Sequence, residues 1–209
     1  MGLATIINMI VFVCVPAWGQ WASILAWVLW WIDVVLSLAT NLYIPFVIMY
    51  KHEVVTSNPP RTRLRLTNYT QAKLSTMTAV WLLPIVSTIV ASASGGIVAN
   101  VLSNDQHALW TVITSYILWG TSVPLAMFTL VLYFQRLTLH SLPPREVIVS
   151  VFLPLGPLGQ GAVGIMQLGK VSMKVFPRTK TLPAVPMAGE ILYVLGVLVA
   201  LVMLGFGLV

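Results

Sequence analysis

Six apolar segments, each close to the length that a bilayer requires, constrain this chain more than any other feature. They are residues 1–17, 21–50, 77–102, 109–134, 147–168 and 191–209. The hydrocarbon core of a membrane takes about 20 predominantly apolar residues per helix. A helix also satisfies its backbone hydrogen bonds within one segment, as lipid demands. The sequence therefore predicts an all-α integral membrane protein of about six transmembrane helices, forming a single domain over residues 1–209.

The low charge content excludes the other classes of protein. Hydrophobic residues make up 58% of the chain and charged residues 8%, whereas soluble domains carry about 25% charged residues. Soluble enzymes and disordered tails are therefore excluded. The single cysteine, Cys14, excludes a disulfide framework and cysteine-based metal sites. The first segment is expected to be a span rather than a signal peptide, because no basic residue precedes it.

The basic residues lie between the apolar segments and predict the orientation. Residues 51–75 and 135–146 hold seven of the eleven lysines and arginines, and residues 169–190 hold four. Because lysine and arginine concentrate in cytoplasmic loops, both chain ends and the flexible basic loop 51–75 are expected in the cytoplasm. The same placement explains the net charge of +6 without nucleic acid as a partner. The expected surroundings are the lipid bilayer.

Two glycine patterns near residue 160 resemble nucleotide-binding motifs. Gly159 to Gly164 matches GxGxxG, and Gly164 to Lys170 matches most of a phosphate-binding loop. The first motif requires a βαβ unit and a later acidic residue, and the second requires Ser or Thr where Val171 stands. Both requirements fail, and no His/Asp/Glu cluster or nucleophile–base pair is evident. We therefore expect no cofactor, no metal site and no enzymatic activity.

Uncharged polar and small residues recur in the odd-numbered segments. A single polar residue inside a membrane helix often serves to form a hydrogen bond with a neighbouring helix. This structural role is the alternative to a role in transport. Taken together, they predict a neutral, polar transport pathway. The candidate pathway residues are Asn8, Ser87, Ser92, Ser94, Gly95, Gly96, Gly156, Gly159, Gln160 and Gly161.

Two prolines and three glycines fall within residues 154–161 of the fifth segment. Proline removes a backbone donor, and unsatisfied backbone is tolerated in a membrane only inside protein or beside a watery cavity. We therefore expect residues 154–161 to depart from regular α-helix and to face the interior.

Asp33 is the ionisable residue that lies well inside an apolar segment. An acid at membrane depth is costly and is a functional candidate by default. It is interpreted either as a proton-relay group or as a structural residue that is protonated or hydrogen-bonded. We favour the structural role, because a carboxylate would repel an anion in the pathway.

Three stretches of sequence resemble one family of transporters. They are WWIDVV (30–35), STMTAVWLLPIVSTIVASASGGIVA (75–99) and PPREVIVSVFLPLGPLGQG (143–161). They are similar to the family of tellurite-resistance proteins, malate (dicarboxylate) permeases and plant slow-type anion channels, and within it to fungal sulfite exporters. The resemblance implies helices three to eight of a fold of ten helices, arranged as five hairpins around a pore that the odd-numbered helices line.

The resemblance also implies a function, which is export of sulfite or bisulfite by a multi-pass protein of the plasma membrane. Transport is expected to be passive or ion-coupled, because an anion leaving a cell gains about 2.3 kcal/mol per 100 mV of membrane potential. The alternatives are a malate/dicarboxylate transporter, and a structural subunit or truncated membrane fragment that does not transport. The sequence leaves homo-oligomerisation open.

Lys170 and Lys174 depart from the concentration of basic residues on the cytoplasmic side. They are four residues apart and share a face if the helix continues. The departure predicts basic charge at the outer mouth of the pathway, where it lowers the energy of an exiting anion. A solvated loop is the alternative interpretation.

Overall fold

The computed structural model describes residues 2–56, 82–139, 152–181, 185 and 187–208. Most of the basic loop 51–75 therefore lies outside the described residues, as does much of the interval 135–146. Within the described ranges the secondary structure is helical with no strand, which confirms the predicted fold class. The helices are α1 (Gly2–Met9), α2 (Val15–Trp18), α3 (Gln20–Thr56), α4 (Leu82–Val101), α5 (Asp105–Leu139), α6 (Leu155–Thr179) and α7 (Ala188–Leu208).

A π-helical segment, Ile10–Cys14, joins α1 to α2 and is caused by Pro16. Proline has no N–H to donate to the preceding turn, and the N–H of Val15 bonds to the carbonyl of Ile10 in the i→i−5 pattern. The chain then reverses at Gly19, whose φ of 80° is accessible to glycine at little cost. Gly2–Trp18 thus forms one apolar helix, here called the first helix, antiparallel to α3.

The helices form three consecutive hairpins, namely the first helix with α3, α4 with α5, and α6 with α7. Helix α4 lies in the middle and packs against the first helix, α3, α5 and α6. Thirteen of its twenty residues are buried, whereas five of the twenty-one residues of α7 are buried. Helix α4 is therefore an inner helix and α7 an outer one, as expected for an odd-numbered and an even-numbered segment. The first hairpin does not show this alternation, because only three described residues of the first helix, Ala4, Ile7 and Val11, are buried.

The short connections between paired helices lie at one end of the bundle. The hydroxyl of Ser103 donates a hydrogen bond to the side-chain carbonyl of Gln20, and Lys174 Nζ donates to Asn100 Oδ1 at 2.8 Å. These contacts join all three hairpins. We call this region the short-loop end, and it comprises residues 18–20, 102–104 and 180–181.

Four of the described helices have the length and apolar composition needed to cross a membrane, namely Gln20–Tyr43, Leu82–Val101, Asp105–Gln135 and Ala188–Leu208. The sequence predicted about six spans. The first helix is apolar but shorter. Helix α6 is long enough, but glycine, glutamine and lysine recur along it. Its less apolar sequence fits a helix that packs against α4, α5 and α7.

Residues 155–161 are regular helix, so the prediction that residues 154–161 depart from α-helix is wrong. Pro154 is the N-cap of α6, and Pro157 is its third residue. The first four N–H groups of a helix have no acceptor within that helix. A proline in this turn therefore breaks no hydrogen bond. The sequence placed these prolines inside a span over residues 147–168, whereas the described helix begins at Leu155, directly after Pro154 and two residues before Pro157.

Candidate transport pathway

Buried hydroxyl groups on α4 and α5 form the polar centre of the bundle. Ser92, Ser94 and Ser115 are all fully buried. Ser92 Oγ donates to the backbone carbonyl of Ser115 at 2.7 Å, which ties α4 to α5. Neither Ser94 Oγ nor Ser115 Oγ has a hydrogen-bond partner among the described residues. Two buried hydroxyls are thus left with unused donors and acceptors.

Gly95 allows the ring of Trp30 to lie directly on the backbone of α4. A Cβ on Gly95 would come within 2.7 Å of Trp30 Cζ2, closer than real Cβ atoms approach a ring. The indole Nε1 of Trp30 donates to the carbonyl of Ala91 at 2.9 Å. Gly96 faces the opposite neighbour, since its Cβ would lie 3.1 Å from Gln167 Cγ on α6. The two glycines thus bring α3 and α6 close to α4.

Trp30 forms a joint between α3 and α4, by which we mean an indole hydrogen bond to a backbone carbonyl of a neighbouring helix. A second joint of this kind connects α5 to α6, and thus the second hairpin to the third. Trp119 Nε1 on α5 donates to the carbonyl of Gly161 on α6 at 2.9 Å. Its ring lies over Gly164, where a Cβ would be 3.5 Å from Trp119 Cδ1. Neither joint was predicted from the sequence. The available signal was an indole N–H at membrane depth, which needs an acceptor, together with glycines on a neighbouring segment.

Six buried side-chain polar atoms have no hydrogen-bond partner among the described residues. Such atoms are few in native structures, and each costs about 1–3 kcal/mol of desolvation. They lie on the first helix, α3, α4 and α5, the helices around the centre of the bundle. The atoms are Asn8 Oδ1, Asp33 Oδ2, Asn41 Oδ1, Ser94 Oγ, Ser115 Oγ and Tyr133 OH.

The structure brings together only part of the predicted pathway. Ser92, Ser94, Gly95 and Gly96 are buried side by side on α4. Asn8 is half-buried on the first helix. Half-buried Ser87 donates to the carbonyl of Pro84 within its own helix at 2.6 Å, and its hydroxyl also lies 3.5 Å from Thr40 Oγ1 on α3.

The predicted residues of the fifth segment lie elsewhere. Gly156, Gly159 and Gln160 are exposed on the first two turns of α6, whereas Gly161 is buried at the joint with Trp119. The expectation that this run faces the interior is therefore wrong for those three residues. The cause is the helical periodicity of 3.6 residues, which turns part of any regular helix outward.

Asp33 is buried on α3 with 6% of its surface exposed, so the predicted membrane-embedded acid is enclosed by protein. Its Oδ2 has no partner among the described residues. Throughout the described residues, no group of three or more His, Cys, Asp or Glu side chains is arranged to hold a metal ion.

Lys170 and Lys174 are exposed on one continuous helix, α6, and are therefore one turn apart. Lys174 bonds to Asn100 and lines a cavity of about 110 Å³ together with Arg178. Lys170 does not line this cavity. The two lysines that the sequence grouped together thus occupy different environments.

Comparison with known proteins assigns the family. The family model described as voltage-dependent anion channel matches residues 1–209. The chain belongs to the voltage-dependent anion channel family. The three helical hairpins of the described residues are thus a partial version of an anion channel fold. No solved structure matches the chain significantly.

The curated relatives of this member of the anion channel family are named as transporters. It is 53% identical over 209 residues to the sulfite efflux pump of Arthroderma otae and 54% identical to that of Arthroderma benhamiae. Each match covers 100% of this chain and 50% of the relative. The sulfite efflux pump of Candida albicans is 32% identical over 177 residues, covering 85% of this chain and 33% of the relative. The chain spans half the length of the two Arthroderma relatives.

Proposed function

We propose that this chain exports sulfite or bisulfite across the plasma membrane through the polar centre of the bundle. The observation that carries the proposal is the pair of fully buried hydroxyls of Ser94 and Ser115, which have no hydrogen-bond partner among the described residues. Relatives named sulfite efflux pumps match the whole chain, which supports sulfite as the anion. The family and its named relatives are channels and transporters, which supports a transport role rather than an enzymatic one.

Hydroxyl groups suit the passage of a small oxyanion. A hydroxyl donates one hydrogen bond and rotates to suit its partner, so it can replace part of the water that the anion loses. Neutral donors bind an anion more weakly than cations do, and weak binding lets an ion leave as readily as it enters. A negative-inside membrane potential then favours exit by about 2.3 kcal/mol per charge per 100 mV. In this proposal the membrane potential drives export.

Replacing Ser94 with alanine separates a transport role from a structural one. Because Ser94 Oγ is buried and has no partner in the part of the chain that the structure describes, Ser94→Ala removes an unsatisfied group. We expect the free energy of unfolding to rise by up to about 1 kcal/mol, a part of the usual desolvation cost. Sulfite flux in liposomes is expected to fall about five-fold, because a donor to the anion is lost.

Ser122 provides the matched control for Ser94. It is also fully buried, but its hydroxyl donates to the carbonyl of Leu118 on the same helix. Ser122→Ala is therefore expected to leave flux unchanged and to give no gain in stability. Unchanged flux in Ser94→Ala, alongside normal flux in Ser122→Ala, would remove Ser94 from the pathway.

We propose a structural role for Asp33 outside the anion pathway. Its carboxyl group is buried on α3, and a negative charge beside the anion would oppose passage. Asp33→Asn keeps the shape of the side chain and removes its charge. We expect sulfite flux to stay within two-fold of the parent protein at pH 6 and at pH 8. Loss of pH dependence in the variant would instead assign Asp33 to a proton relay.

We propose that the short-loop end faces the outside of the cell. Gln106 is exposed close to this end, and Cys14 is the single native cysteine. A Gln106→Cys variant with Cys14→Ser should react with a membrane-impermeant maleimide in intact cells, because basic loops stay on the cytoplasmic side. Labelling only after permeabilisation would reverse the orientation.

A further inference from the structure

A cavity of about 110 Å³ opens at the short-loop end between α4, the start of α5 and the last turns of α6. One water molecule needs roughly 10–15 Å³ when volume is measured for water-sized probes, so the cavity has room for a four- or five-atom ion. Four polar side chains line it, and they are Asn100, Asp105, Lys174 and Arg178. Apolar residues such as Val171 and Val175 form its wall on α6.

The two cations in this lining are incompletely neutralised. Lys174 Nζ bonds to Asn100 Oδ1 at 2.8 Å, an uncharged acceptor that leaves the ammonium charge without a counter-ion in this contact. Arg178 Nη1 lies 3.7 Å from Asp105 Oδ1, beyond hydrogen-bond distance. The Arg178 and Asp105 side chains are 66% and 47% exposed, and exposed ion pairs of this kind hold weakly. Two positive charges and one negative charge therefore surround the cavity.

We propose that this cavity is a binding site for a small oxyanion of the sulfite class. Arg178 offers a planar set of N–H donors and Lys174 a point charge, and both groups bind oxyanions well. Asn100 lies on the same lining, and its side-chain amide group can supply a neutral donor. Asp105 opposes the anion and keeps the site weak. The cavity and its charges do not depend on the transport proposal. The identification of the bound anion as exported sulfite does rest on that proposal.

Weak binding of the anion, which we attribute to Asp105, suits a site from which an anion must leave. A carboxylate 3.7 Å from Arg178 competes with a bound anion for the same guanidinium. Removing that carboxylate should tighten binding, because its charge repels the anion and holds part of the attraction of Arg178. Asp105 is thereby inferred to set the affinity of the site.

Isothermal titration of sulfite, and of sulfate as a stable second probe, into the full chain in lipid nanodiscs tests the site. At physiological ionic strength, Lys174→Gln and Arg178→Gln are each expected to raise the Kd about ten-fold, because each removes a charge-assisted hydrogen-bond donor. Asp105→Asn is expected to lower the Kd about three-fold or more. Circular dichroism and gel filtration would establish that each variant is folded.

Lys170 and Lys180 supply the matched controls. Lys170 is exposed on α6 and Lys180 is exposed directly after it, and neither lines the cavity. Lys170→Gln and Lys180→Gln remove the same charge and should change the Kd by less than two-fold, because neither side chain lines the cavity and salt weakens the attraction of exposed charges that do not contact the anion. Equal weakening by all four substitutions would overturn the site in favour of general electrostatic attraction. Unchanged Kd values in Lys174→Gln and Arg178→Gln would also overturn it.

The outcomes for binding and transport can be separated. If the parent chain binds sulfite with the expected variant pattern but gives no flux in liposomes, the transport proposal fails and the oxyanion site stands. If flux is normal and titration detects no binding that depends on Lys174 and Arg178, the site fails and the transport proposal stands.

Discussion

Replacing Trp30 with alanine is expected to lower the free energy of unfolding by about 2–3 kcal/mol. Trp30 is fully buried between α3 and α4, and its indole donates to the carbonyl of Ala91. In lipid, helix association depends on van der Waals packing and hydrogen bonds rather than on hydrophobic burial. A residual cavity costs about 24 cal/mol per Å³, so a void on the order of 100 Å³ accounts for most of the effect.

Two further variants identify the cause of the Trp30 effect. Trp30→Phe keeps most of the ring volume and loses the hydrogen bond, so the expected loss is about 1 kcal/mol. Trp110→Ala removes an indole that is 56% exposed and should change stability by no more than about 0.5 kcal/mol. Denaturant titration in mixed micelles provides the measurement. Equal losses for Trp30→Ala and Trp110→Ala would contradict the joint between α3 and α4.

Replacing Gly196 with alanine is expected to lower the free energy of unfolding by about 1–3 kcal/mol, the usual cost of overpacking. A Cβ at this position would lie 2.9 Å from the carbonyl oxygen of Ile165. The contact is with the backbone of α6, which cannot rotate away as a flexible side chain would. The two helices would therefore have to separate.

Gly205 on the same helix is the control for Gly196. A Cβ on Gly205 would meet no atom of the described residues within 4 Å. Because glycine in a helix is less favourable than alanine by roughly 0.5–1 kcal/mol, Gly205→Ala should be neutral or slightly stabilising. The same micelle titration compares the two variants. A stability change of the same sign and size at both positions would refute the close approach of α6 and α7.

The class of fold and the inner position of α4 could be predicted from the sequence, because lipid leaves few choices. Apolar segments of bilayer length must be helical, and the serines and glycines of α4 suit burial between helices. The start of α6 could not be predicted in the same way. The effect of Pro157 depends on whether it falls in the first turn, and the apolar sequence before it shows no helix boundary.

Contacts between distant helices were also beyond the reach of the sequence. Lys174 and Asn100 are 74 residues apart, and only the packing of α6 against α4 brings them together. The sequence grouped Lys174 with Lys170 because helical spacing was the available information. The structure groups Lys174 with Arg178 around a cavity, since both face the α4–α5 connection.

Anion flux measured in liposomes tests the central claim most directly. The full chain is reconstituted at defined orientation, a potassium gradient with valinomycin sets the membrane potential, and sulfite and malate are compared at equal concentration. We expect sulfite flux that exceeds that of empty liposomes, that responds to the sign of the potential and that exceeds malate flux. Sulfite flux equal to that of empty liposomes, at both signs of the potential, would contradict the account.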